Sequence, residues 1–329
     1  MPKRPVLATD CSTDVSGALD RYLNALPDGA VFASPASACY LVDKGITITH
    51  PLDIIGGEFK DESSTLPPRV PGRAPPALHP IVLIDQTSDV NVEGVNLVGA
   101  DPSGVFDPHL VGQAGIDIRS SSNVTITNVT TLDTFGDGLT IFVAPGEGRC
   151  RNIAVDGMTI TRAGRQGITP AFVTGASFTH VNINSVADSA WDFESDLPGI
   201  GSGDITISDS RWRGAVNVVE PITGPVTFTR DTGRGYFVLN DGAGSKPVYV
   251  SHSTLLLPAY DNGYPAAGVV VDGGSLTFSD DHLGRIPSWT APTGPAWHVN
   301  ANGHLTFTHS VVDAPLGSAS RGSVVTFTP

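Results

Sequence analysis

Short stretches in which apolar and polar residues alternate recur along most of the chain. In order they read "NVTITNVTT", "NIAVDGMTI", "SFTHVNINS", "DITISDSRW", "PVTFTRDTG", "PVYVSHSTL", "SLTFSDDHL" and "HLTFTHSVV". A period of two is that of a strand with one buried face. Their first apolar residues, Val124, Ile153, Phe178, Ile205, Val226, Val248, Leu276 and Leu305, lie 29, 25, 27, 21, 22, 28 and 29 positions apart. Such a spacing predicts a stacked solenoid in which each coil covers the apolar face of its neighbour. The fixed Leu and Asn positions of leucine-rich repeats are missing, which leaves a parallel β-helix.

A second strand follows in each coil: "GIDIR", "GLTIF", "GITPA", "AWDFE", "AVNVV", "YFVLN", "GVVVD" and "AWHVN". Alternation places Ile116 and Ile118, Leu139 and Ile141, Trp191 and Phe193, and Val216 and Val218 in the interior. The outward column is then Asp117, Thr140, Thr169, Asp192, Asn217, Val238, Val270 and His298.

Near the start, Val15, Ala18, Leu19, Tyr22 and Leu23 fall at helical spacing, with Ser12 or Thr13 as N-cap. The expected architecture is all-β, one domain over residues 1–329, with an N-terminal cap over 10–45 and a Pro-rich loop insertion over 58–80. Gly 37 and Pro 26 suit many short strands and tight turns. Lys+Arg 19 against Asp+Glu 33 gives a formal charge of −14, which disfavours nucleic acid and acidic polysaccharides and suits a neutral glycan. No apolar run is long enough to span a membrane. "MPKRPVLATD" lacks the apolar core of a signal peptide, so the expectation is a secreted or extracellular protein whose leader is not in this sequence, with a phage particle as the alternative. Of the three cysteines, Cys11 and Cys39 flank the helix and would pair in an oxidising compartment; free thiols are the other reading, and Cys150 is left over.

The repeat, together with the entry "DCSTDVSGALDRYLNALPDGAVFASPASACYLVDKGITI", resembles the right-handed parallel β-helix proteins of the pectate lyase superfamily over roughly residues 10–329. Their polygalacturonase-like branch carries paired aspartates where "FGDGLTI" stands here, but its Gly-His-Gly and Arg-Ile-Lys motifs do not occur. "RAGRQGITPAFVTG" and "WDFES" are similar to segments of uncharacterised bacterial and phage β-helices.

Adjacent coils stack about 4.8 Å apart. On that spacing Asp117, Asp137, Gln166, Asp192 and Glu194 gather on one face of four coils. Carboxylates so placed suit glycoside hydrolysis, in which one acid protonates the leaving oxygen and a second carboxylate is base or nucleophile. Asp137, Asp192 and Glu194 are the expected catalytic residues; Asp117, Arg119, Arg165, Gln166, Arg213 and Trp212 are expected to hold substrate. Trp212, Trp289 and Tyr260 read as loop residues on which a sugar could stack, whereas Trp191 reads as core. Arg165, Asp188 and Arg213 would form a charge ladder on consecutive coils. His298, His304 and His309 read as surface residues.

The sequence therefore points to a carbohydrate-active enzyme, a glycoside hydrolase or glycosyl-transferring enzyme acting on a polysaccharide without metal or cofactor. One alternative is a lyase or epimerase of uronates, with Arg119, Arg162, Arg165, Arg211 and Arg213 as positive groups and Ca²⁺ on Asp117, Asp137 and Asp192. The other is a noncatalytic glycan-binding fibre. The protein would be a monomer, or a homotrimer through Phe237, Val238 and Val270.

Overall fold

The computed structural model describes residues 2–66, 77–144, 146–194, 201–219, 222–240, 246–257, 267–286, 296–313 and 317–329. These form strands of three parallel sheets and one helix. Two compact units divide the chain: residues 1–169 with 182–188, and residues 170–181 with 189–329. The core of the expected Pro-rich loop, 67–76, lies outside the described residues, as do Tyr260 and Trp289.

In the first unit each coil contributes one strand to each sheet. Ser88–Glu93, Asn96–Val98 and Ile116–Arg119 make one coil, and Ser122–Thr127, Thr130–Thr134 and Leu139–Phe142 the next. Val90, Val124 and Ile153 stand in register in the first of these sheets, and Ile116 between Val82 and Leu139 in the third. All are buried. Parallel strands joined by crossovers take the right-handed path, so the coil winds as a right-handed parallel β-helix. The sequence repeat anticipates the first and third sheets; the second, with strands of three to five residues such as Asn96–Val98 and Thr159–Ala163, is too short for alternation to betray.

The helix, Ser16–Leu23, closes the first unit. Leu19 and Leu23 are fully buried beneath it. Its polar residues satisfy the open edge of the strand Ile46–Ile48: Asp20 Oδ1 accepts the Thr47 amide at 2.8 Å, and Asn24 Nδ2 donates to the Thr47 carbonyl at 2.8 Å. An edge so covered cannot pair with another chain. The N-cap expected at Ser12 or Thr13 is not found, because both belong to the strand Asp10–Asp14; instead Asp14 Oδ1 accepts the Ser16 amide at 2.9 Å. Cys11 and Cys39 form a disulfide with Cα atoms 5.1 Å apart. Cys150 is buried, and desolvation pushes its thiol up to about 11.

In the second unit the register places Ala176 opposite Ile205 and Phe178 opposite Ile207. The expected match of Phe178 with Ile205 is thus two positions out, an even slip that leaves the buried face unchanged. Trp191 lies in the core as expected, with its ring edge-on to Phe178 at 5.3 Å and to Trp212 at 6.3 Å. Phe237 and Val270, read as an oligomer face, are 1% and 2% exposed. Phe237 packs on Phe228 at 5.5 Å, so it points inward.

One corner recurs in both units, from the strand Leu52–Ile55 onward. Between strands of the first and second sheets stand two residues, the first with a left-handed backbone: Gly56, Gly94, Asn128 and Gly157 in the first unit, His180, Asp209, Arg230, His252, Asp280 and His309 in the second. The following residue is buried at each of these corners except the last, where Ser310 is half-buried. In the second unit it is Val181 and then, in alternation, Ser210, Asp231, Ser253, Asp281 and Ser310, and each of these five accepts from the backbone of the coil before. The Ser210 amide donates to Asp231 Oδ1 at 2.8 Å, Asp231 to Ser253 Oγ at 3.0 Å, Ser253 to Asp281 Oδ1 at 2.7 Å and Asp281 to Ser310 Oγ at 3.2 Å. The serine hydroxyls donate to carbonyls of Ser208, Ser251 and Thr308 in their own coils. Backbone that turns out of the sheets at this corner is thereby satisfied. Asp281 Oδ2 takes a second amide, Ser279, at 2.8 Å, whereas Asp231 Oδ2 is buried without a hydrogen bond.

Candidate functional site

The outward column of the third sheet is as expected within each unit. Asp117 stands between Leu83 and Thr140, and Asn217 between Asp192 and Val238, followed by Val270 and His298. Its acidic members are covered, Asp117 being 6% and Asp192 3% exposed. Asp117 Oδ2 accepts Nε and Nη2 of Arg119 at 2.9 and 2.6 Å. Burial pushes the Asp117 carboxyl up, against the pull of that guanidinium.

Asp137 sits on a Gly136-Asp137-Gly138 corner rather than in a strand. The glycines are steric necessities. A Cβ on Gly136 would lie 2.1 Å from the Val111 carbonyl oxygen, and one on Gly138 2.6 Å from Ile160 Cδ1. Backbone bonds fix the corner to the next coil, where Gly138 donates to the Gln166 carbonyl and Leu139 to that of Gly167, each at 3.0 Å. The segment "RQG" is therefore first a structural corner. It also delivers two groups to Asp137, the Gln166 amide and the Arg165 guanidinium.

Asp137 is 2% exposed and closely surrounded. Oδ1 accepts the Gln166 amide at 3.2 Å. Oδ2 lies 2.6 Å from Thr169 Oγ1, 3.1 Å from Thr140 Oγ1 and 3.4 Å from Arg165 Nη1. Thr169 Oγ1 is also 2.6 Å from Gln166 Oε1. Burial pushes the Asp137 carboxyl up; Arg165 and the hydrogen bonds oppose it. The Arg165 side chain, 29% exposed, is the charged part of this cluster that solvent meets. Thr140 and Thr169 escaped the sequence reading as partners, although both stand in the polar column it identified.

Asp192 lies on the strand Ser189–Phe193 and Glu194 follows it, both in the second unit. Arg213 is exposed at the end of the strand Arg211–Arg213. Arg162, a candidate of the lyase reading, pairs with Asp133. Trp212 overturns its expectation. It is in that same strand, 4% exposed, with its ring 5.8 Å from Phe228, so it packs the core and offers no sugar platform. Trp212→Phe should cost about 1–2 kcal/mol in chemical denaturation and leave glycan affinity unchanged; weakened binding by a fully folded variant would reinstate the platform.

With an arginine against each, Asp117 and Asp137 do not form the anionic oxygen cage that Ca²⁺ takes. Among the described residues one trio of metal-ligating side chains converges, Cys11, Cys39 and Glu58, and its two sulfurs are spent in the disulfide. No helix of the described residues is long and apolar enough to cross a membrane.

No family model matches the chain, and no curated protein matches it in sequence. Solved structures do match in fold. A polygalacturonase from Erwinia carotovora ssp. carotovora aligns at 11% identity over 99% of this chain and 96% of its own, with a TM-score of 0.64. An Acinetobacter phage tailspike aligns at 12% identity over 98% of this chain and 60% of its own, with a TM-score of 0.68. The surface protein and adhesin PfbA of Streptococcus pneumoniae aligns at 10% identity over 98% of both chains, with a TM-score of 0.54. Likeness at such identities concerns architecture, and the architecture is a parallel β-helix.

Proposed function

We propose that this chain acts on glycans, as a β-helix enzyme that cleaves a glycosidic bond with Asp137 as the acid. The observation that carries the reading is the enclosure of the Asp137 carboxyl. Removed from water, with burial outweighing the opposing Arg165 guanidinium at 3.4 Å, it favours its protonated form, which is what a leaving oxygen needs. Substrate would meet Arg165 first and displace its side chain to reach the acid. As the glycosidic bond breaks, the proton passes from Asp137 to the departing oxygen while positive charge grows on the sugar ring, and a second carboxylate must assist water or attack the ring. Asp192 and Glu194 are proposed for that role from the sequence pattern alone, and Asp117, Arg119, Gln166 and Arg213 as groups that orient hydroxyls. A polygalacturonase among the proteins of similar fold supports the enzymatic reading. An extracellular setting or a phage particle fits it equally.

The second reading is a noncatalytic glycan-binding protein, supported by the adhesin and tailspike folds. The deciding experiment is a screen of the protein against neutral and acidic polysaccharides, following new reducing ends and the absorbance of unsaturated uronates together. Reducing ends without that absorbance are expected. Reducing ends with it would make the protein a lyase, and silence in both channels with retention on a glycan array would leave binding alone.

A further inference from the structure

We propose that Thr169 is a positioning residue that accepts a hydrogen bond from Asp137 and donates its own to Gln166, holding Asp137 as a free acid. The proposal rests on the reading of Asp137 as the proton donor, and it turns on counting protons. Thr169 Oγ1 stands 2.6 Å from Asp137 Oδ2 and 2.6 Å from Gln166 Oε1. Both neighbours are acceptors: an ionised carboxylate and an amide carbonyl carry no proton. A threonine hydroxyl has one. Two short oxygen–oxygen contacts need two protons, and two oxygens so close without one would repel. The missing proton belongs to Asp137 Oδ2. It then points at Thr169 Oγ1, and the hydroxyl proton points at Gln166 Oε1.

The other contacts agree with this direction. Thr140 Oγ1 at 3.1 Å and the Gln166 amide at 3.2 Å donate to lone pairs that a neutral carboxyl keeps. Within the unit the charged group facing Asp137 is Arg165, and at 3.4 Å its Nη1 is too far for a strong charge-assisted bond. Thr140, Thr169 and Gln166 are neutral.

One other arrangement closes the count. If the Gln166 amide is turned over, Nε2 donates to Thr169, Thr169 donates to the carboxylate, and Asp137 is ionised. The two arrangements give Thr169→Val opposite signs. Where threonine is the acceptor of the acid's proton, valine removes a partner of the neutral form and the carboxyl becomes a stronger acid. Where threonine donates to the carboxylate, valine makes it weaker.

The test is infrared difference spectroscopy of the full chain labelled with carboxyl-¹³C aspartate, titrated with pH. A protonated-carboxyl band present in the wild type near neutrality and missing from Asp137→Asn is expected. Thr169→Val should move its titration down by on the order of one unit, and Thr169→Ser should restore it. An upward move, or no Asp137 band in the wild type, overturns the proposal. Should the valine variant not fold, Thr169→Ser and the wild-type band still decide it. An intact band in a protein that cleaves no glycan would sink the hydrolase reading and leave the proton chain standing. Cleavage with an ionised Asp137 would do the reverse.

Discussion

Asp137→Asn is expected to slow cleavage of a natural glycan by about 10²- to 10⁴-fold, the usual worth of a positioned general acid. Asparagine has nearly the shape of the neutral carboxyl, so it can keep the Gln166 amide and the two threonine contacts while offering no acidic proton. The loss should therefore fall on kcat, with substrate binding and the melting transition little changed. Leaving-group chemistry supplies the control. An aryl glycoside whose phenolate departs unaided needs no proton, and its hydrolysis should survive the substitution far better. Equal losses with both substrates would take Asp137 out of the acid's role.

Asp231→Asn is expected to flatten the pH dependence of stability in the second unit. The Asp231 carboxyl is 2% exposed, holds one amide and leaves Oδ2 without a hydrogen bond, and burial pushes it up to about 7 from 3.8. Arg230 gives little relief, since its guanidinium is turned to Asp209 at 2.6 Å, and Asp209 itself pushes the same way as burial. The sign follows from linkage. A folded value above the unfolded one means the native state holds a proton that the unfolded chain has released. The associated stability is complete below about 3.8 and is lost as pH rises through about 7. The loss amounts to at most about 4 kcal/mol at the alkaline end. Asp281, pushed by burial to about 6 with His252 opposing and Asp280 assisting, adds a smaller loss in the same direction. Urea titrations at acid and mildly alkaline pH should show the wild type weakening as pH rises and Asp231→Asn weakening less. A wild type that strengthens over that interval would refute the assignment.

The sequence was legible where one rule repeats. Period-two alternation located the interior positions Ile116, Ile118, Leu139, Ile141, Trp191 and Val216, and coil stacking located the outward pairs Asp117 with Thr140 in the first unit and Asp192 with Asn217 in the second. Trp212 misled because three residues, Arg211–Arg213, are too few to show a period, and flanking arginines made a buried ring look exposed. Asp137 could be singled out as an acid between glycines, but its environment could not be read. Thr140 and Thr169 are ordinary residues of a strand until the fold sets them against it. The serine–aspartate ladder did leave a trace. "DS", "RD", "HS", "DD" and "HS" recur at coil spacing, with the second residue of each of the first four pairs buried.

The two-residue corner has a consequence for how such a chain can change. Between strands of the second and third sheets the connections in the first unit run to 17 residues after Val98 but 4 after Thr134 and 4 after Ala163. Residues grafted there would alter what the molecule recognises without moving a strand. A single residue inserted after Asp209 or His252 would turn every apolar side chain of the next strand toward water. Mutational drift should accordingly enter by the long connections and be purged at the short corner, so that new specificity comes as changed loop length on an unchanged screw.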